Sequence, residues 1–215
     1  MRRRLVINAD DLGLSPEVNA GIVEALRRGC VSDTSVLMGA PFADEAVREL
    51  RRLGITHAGV HVDLDEVLGW SSPGREIIPR TALVRMLGQR SFMRRCEERA
   101  RRQVEAFLSS GLEVTHIDTH HHVHGFLPVF ELVVSLAKEY RFPAVRFSPH
   151  GYRLPTRQDI CLDPATSRCM QDLLERSGIM SLDRMVEGAR SILDDSGILL
   201  SGDTELVVHP SLGGD

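Results

Sequence analysis

The chain has 215 residues, of which 42% are hydrophobic, and a formal charge of -4 at pH 7. That balance reads as one globular domain over residues 1–215, large enough to bury its own core without disulfide or metal stapling. It argues against a nucleic-acid or membrane-surface partner on charge grounds, and no apolar run is long enough to span a bilayer.

The cysteines, Cys30, Cys96, Cys161 and Cys169, are scattered and form no CxxC pair. Reduced thiols in a cytoplasmic compartment follow from that usage. Arg2-Arg3-Arg4 opens like a signal peptide, but the apolar run behind it stops at Ile7 and two aspartates intervene, so no export signal is read.

Short apolar runs alternate with longer helical patterns, the signature of βα units around a parallel sheet. Strands are predicted at Leu5 to Ala9, Thr34 to Met38, Ala58 to Leu64, Glu113 to Ile117, Ala144 to Phe147 and Glu205 to Val208. Ser15 can cap a first helix with Pro16 at its first position, and Val18, Ile22, Ala25 and Leu26 form its buried stripe before Gly29. Phe42, Ala46, Val47, Leu50 and Leu53 mark a second helix, stopped by Gly54. Further helices are predicted at 91–110, 128–140, 164–177 and 181–195. The spacing of the first strands suits a βα-barrel as well as an open sheet. Residues 65–80 read as a loop excursion in which Trp70 either stacks on a sugar face or anchors the loop to the core. The arginine-rich helix 91–110 also carries Glu97, Glu98 and Glu105, a pattern of a solvated face rather than an anion site.

Chemistry concentrates at the carboxyl ends of the predicted strands, where α/β folds place their sites. Asn8-Ala9-Asp10-Asp11-Leu12-Gly13 follows the first strand. Adjacent strand residues face opposite ways, so both aspartates reach one pocket only if the backbone leaves regular β geometry, and Gly13 supplies freedom for that. His61 stands at the end of Ala58-Gly59-Val60, with Asp63 and Asp65 sharing its parity; Asp65 reads as a loop acid, and Asp63 is left open. After the fourth strand comes Asp118-Thr119-His120-His121-His122-Val123-His124. If strand alternation continues, Asp118, His120, His122 and His124 share one face. Such a row suits metal binding, proton transfer or both, the plainer reading being a solvated polar loop. Glu205-Leu206-Val207-Val208-His209-Pro210 supplies one more histidine at a strand end. One carboxylate with two histidines leaves positions open for water and substrate, as catalytic metals require.

The strings NADDLGLS, GVHVDL, DTHHHVH and ELVVHP, in this order, resemble the YdjC-like carbohydrate deacetylases, the family that includes chitooligosaccharide deacetylase and the hopanoid-biosynthesis-associated deacetylases. The resemblance runs from Asn8 to Pro210. It implies an α/β fold of the distorted (β/α) TIM-like barrel kind and one divalent metal ion, Zn2+ or Mg2+, held by Asp11, His61 and His120. It further implies Asp10 as general base, Arg146 pairing with that aspartate rather than sitting on the surface at a strand end, and His209 as the acid for the leaving amine, with His122 and His124 as competitors. Trp70, His122 and His124 are carried as substrate-binding candidates, and Asp118 as a carboxylate that orients a ligand histidine. The substrate implied is a saccharide bearing an N-acetyl amino sugar. Two departures stand out. Val62 replaces the usual Leu or Phe after the metal histidine, and the chain ends at Asp215 where members continue, which implies a barrel incomplete at its C-terminus. Competing readings are a metal-dependent phosphoesterase or other amidohydrolase on a βα-barrel, and a metal- or sugar-binding protein without catalysis. A homodimer is compatible with the sequence, though no feature argues for one.

Overall fold

The computed structural model describes residues 4–69, 80–149, 162–188 and 202–213. Trp70 and residues 189–195 of the helix predicted at 181–195 lie outside them. Six parallel strands make one sheet in the order β4-β3-β2-β1-β6-β5, where β1 is Leu5–Leu12, β2 Asp33–Val36, β3 His57–Val62, β4 Glu113–Thr119, β5 Arg184–Glu187 and β6 Thr204–Val208. Beyond β4 the pairing continues through isolated bridges from Ile117 to Val145 and from Ala144 to Met180, four residues before β5 begins. The sheet therefore curls back towards its own edge as a distorted barrel.

Helices α1 (Pro16–Arg27), α2 (Ala43–Arg52), α5 (Arg90–Ser109), α6 (Leu127–Tyr140) and α7 (Pro164–Ser177) match the predicted ones closely. Ser15 does cap α1, accepting from the Val18 amide at 3.2 Å. Phe92, Cys96, Ala100, Val104 and Phe107 form a buried stripe on α5, and Arg99 and Arg101 on its flank are paired with carboxylates rather than unpartnered. Two short helices, α3 (Asp65–Leu68) and α4 (Arg80–Leu87), occupy or follow the segment read as a loop. They are too short for periodicity to reveal.

Three expectations are corrected. Residues 184–187 are strand, not helix: a four-residue run carries no decisive period, and its pairing with Thr204–Val207 settles the matter. The strand predicted at 144–147 reduces to bridges, because Pro143 lacks an amide and the segment pairs only locally. Finally β4 stops at Thr119. A 3-10 segment, His120–Gly125, follows, with His121 (φ 54) and His122 (φ 51) both left-handed. Strand alternation therefore fails beyond His120.

Alternation sorts the strands into two faces. Ala9, Val36, Val60, Val62 and Ile117 turn outward and join the apolar core formed with the helices. The opposite face, lining the barrel interior, carries Asn8, Asp10, Ser35, His61, Asp118 and Glu205, all buried. Barrel interiors are commonly filled by Val, Ile and Leu; here a polar network fills the place. No helix of the described residues is long and apolar enough to cross a membrane.

Candidate metal centre

Asp10 and Asp11 are consecutive yet reach the same site. Asp11 takes φ 72, and the β1 register shifts between Ala9 and Leu12, so the side chain that should point outward is swung inward. Aspartate is among the few residues that tolerate this left-handed geometry. Gly13 also has positive φ, 109°, and its amide is fixed by Asn19 Oδ1 at 2.7 Å. The departure from β geometry expected near Gly13 thus begins at Asp11 itself.

Asp11, His61 and His120 converge. Asp11 Oδ1 lies 3.2 Å from His61 Nε2 and 2.8 Å from His120 Nδ1. It is buried without a partner of hydrogen-bonding geometry. One carboxylate and two imidazoles with donor atoms within 4.8 Å of one another match the donor set of a divalent ion. Burial raises the Asp11 carboxyl, but His120 and His61 outweigh it and hold it well below the usual range. Two neighbouring groups could also gather a cation: Asp65 with His120 and His121, and Asp10 with His61 and Asp118. The second of these is already neutralised by Arg146, and the first sits at the rim on the half-exposed His121.

Behind the ligands lies the network. Asp118 Oδ1 is 2.7 Å from His61 Nδ1, so it orients that histidine, not the adjacent His120. A carboxylate behind a ligand imidazole fixes the tautomer that presents the other nitrogen. Arg146 is fully buried and its guanidinium is surrounded by the carboxylates of three residues. NH1 and NH2 clasp Asp10 at 2.7 Å each, NH1 also meets Asp118 at 2.6 Å, and Nε and NH2 meet Glu205 at 2.9 and 2.7 Å. Asp10 further accepts from Asn8 Nδ2 at 2.6 Å. Burial pushes the Asp10 carboxyl up, yet Arg146 and His61 prevail and it settles at about 2.

The remaining predicted residues separate. His209 stands at the mouth, partly exposed, with Nε2 3.9 Å from Asp11 Oδ2. His122 and His124 are buried away from the three converging groups. His122 Nε2 is 3.5 Å from Glu187, and His124 Nδ1 is 2.6 Å from Thr119 Oγ1. Burial, helped by His122, pushes His124 well below the ordinary imidazole value, which leaves it neutral. Four partners escaped the sequence reading: Ser35, Glu205, Asp65 and Asn8. Glu205 and Asn8 share inward parity with Val207 and Asp10, which was the only available signal. Asp65, read as a loop acid, lies 3.2 Å from His121 Nε2. Asp63 instead binds Arg99 at 3.1 Å.

A carbohydrate deacetylase from Geobacillus stearothermophilus is 40% identical over 170 residues, covering 73% of this chain and 65% of the relative. One from Oceanobacillus iheyensis is 33% identical over 156 residues, covering 67% and 65%. A chitooligosaccharide deacetylase from Salmonella paratyphi B is 33% identical over 156 residues, covering 65% and 57%. The chain thus spans under two thirds of the length of these relatives. In fold it is similar to a candidate cellobiose-phosphate cleavage protein from Enterococcus faecalis, with a TM-score of 0.70 at 24% identity over all of this chain and 83% of the other. A lactam utilization protein from Thermus thermophilus gives 0.51 at 14% identity, covering 96% and 90%. The model of the YdjC-like protein family matches residues 4–215, and the chain belongs to that family.

Proposed function

We propose that residues 1–215 form a single deacetylase domain that hydrolyses the N-acetyl group of an amino sugar in a chitooligosaccharide-like saccharide. The observation that carries this reading is the Asp11–His61–His120 trio with Asp10 clamped beside it by Arg146. Asp11, His61 and His120 would hold one divalent ion, Zn2+ or Mg2+, the two imidazoles favouring zinc. When bound, that ion supplies Lewis acidity for the acetamide carbonyl and lowers the pKa of water.

The chain's own groups then divide the work. Asp10, ionised throughout the neutral range, accepts the proton of the attacking water. Arg146 fixes the plane of the Asp10 carboxylate, and a fixed acceptor is what proximity requires. Asp118 holds His61 in one tautomer. His209, reaching the mouth from β6, donates a proton to the departing amine. Its openness to solvent lets it reprotonate between turnovers, whereas His124 is neutral and enclosed, a poor acid. A cytoplasmic setting belongs to this proposal, and Cys30, Cys96 and Cys169, free among the described residues, are compatible with it.

The test is direct. Purified protein supplied with divalent ion and diacetylchitobiose should release acetate. Asp10→Asn should lower turnover by about 100- to 10,000-fold, the worth of one positioned proton transfer, while one ion per chain is still taken up. Full activity in that variant would remove Asp10 from the mechanism. Among the described residues the Asp65–His121 pair beside His120 is a feature that would serve a two-metal phosphoesterase, and two tightly held ions per chain would favour that reading instead.

A further inference from the structure

We infer that Glu205 is a positioning residue that acts through Arg146 on the catalytic carboxylate of Asp10; the inference rests on the deacetylase reading for its effect on turnover. Three carboxylates surround one guanidinium, and each has a different share of it. Asp10 occupies the NH1–NH2 edge, and Asp118 meets the outer side of NH1. Glu205 alone occupies the Nε–NH2 edge, at 2.9 and 2.7 Å through one oxygen. Among the described residues no other acceptor faces Nε.

That edge supplies the second anchor of the group. A guanidinium is planar: Asp10 takes the NH1–NH2 edge through its two oxygens, and the forked contact of Nε and NH2 with one Glu205 oxygen holds the adjacent edge against rotation about the Cδ–Nε bond. Without Glu205, Arg146 keeps its charge and two carboxylates but loses the contact that sets its tilt, and the pair of N–H groups presented to Asp10 turns with it. The strands explain the placement. Glu205 is on β6, paired beside β1 with Val6 opposite it, and Asp10 is on β1. Arg146 comes from the segment bridged to β4, on the other side of the barrel. One guanidinium therefore ties the base-bearing strand to the wall facing it, and Glu205 is the bolt on the near side. Its side chain is almost fully buried, so water cannot stand in for it.

Two variants separate positioning from charge. Glu205→Asp keeps the charge but withdraws the acceptor by about 1.5 Å, one carbon–carbon bond. Glu205→Gln removes the charge but leaves an oxygen within reach of Nε and NH2. Positioning predicts that the Asp variant loses about 100-fold in kcat for acetate release, as about 1 Å of misplacement can cost. Its KM should change little, and the Gln variant should stay within about tenfold of the wild type in kcat. A second readout needs no activity: the Arg146 Nε–H resonance, protected from solvent exchange in the wild type and in Glu205→Gln, should exchange rapidly in Glu205→Asp. Divalent-ion affinity should be the same in all three proteins. The reverse order, with Asp near wild type and Gln impaired, would overturn positioning in favour of charge alone, as would unchanged kcat and protection in both. If the wild type releases no acetate, the deacetylase reading fails and the resonance decides the positioning claim by itself.

Discussion

Replacing Gly21 with alanine should disable the site without touching any of its side chains. Gly21 lies on α1, and a Cβ there would stand 2.5 Å from Ser211 Cα, 2.6 Å from Ser211 N and 2.7 Å from Pro210 C. Carbon atoms pack comfortably at about 3.5–4.0 Å, so the backbone at 210–211 must withdraw by about 1 Å. These are backbone atoms, which no rotamer change can move aside. The same segment is pinned by the Leu212 amide, which donates to Glu17 O on α1 at 3.0 Å, so the strain has little room to spread. His209 is the next residue back along the chain and moves with Pro210. Overpacking of this kind costs about 1–3 kcal/mol, and each kcal/mol lowers Tm by about 2–4 °C in a chain of this size. Turnover should suffer more than stability, by about 100-fold in kcat. Acetate release, a thermal melt and a calorimetric ion titration check the three parts. Expected are low kcat, a modest fall in Tm and unchanged ion affinity, because Asp11, His61 and His120 sit on other elements. A Gly21→Ala protein with wild-type kcat would refute the claim that α1 sets the place of His209.

Other changes probe the layers beneath. Asp118→Asn removes the carboxylate 2.7 Å from His61 Nδ1 and should weaken divalent-ion affinity about 10- to 100-fold, read by isothermal titration. Gly59→Ala would set a Cβ 2.3 Å from His116 Cε1 on β4, forcing that ring off the strand, and should cost about 1–3 kcal/mol in chemical denaturation. Phe107→Ala empties a fully buried site on α5, an element that carries none of the ligands; it should cost about 3–5 kcal/mol in the same assay, with ion affinity retained in the folded fraction. Chelation of the divalent ion should stop acetate release, and its return should restore it.

The sequence by itself determined a good deal. Ser15, Pro16 and the spaced apolar residues of α1 and α2 specify those helices locally, because capping and a 3.6-residue period act within a few turns of chain. The same holds for the placing of Asp11, His61, His120 and His209 at strand ends, since a strand and its following turn are read from neighbouring residues. Tertiary structure decided what depends on distant partners. Residues 184–187 are strand only because β6 lies beside them, some twenty residues later. The inward swing of Asp11 is a single backbone angle that no period reports, and the left-handed pair His121–His122 ended an alternation that the sequence invited one to extend. Glu205 and Asp118 reveal their roles only when Arg146 is set between them, bridged beside the strand of Asp118 but 59 residues from Glu205 and across the barrel from it. Buried charges are matched in space rather than along the chain, since a guanidinium withdrawn from water must find its acceptors wherever the fold brings them.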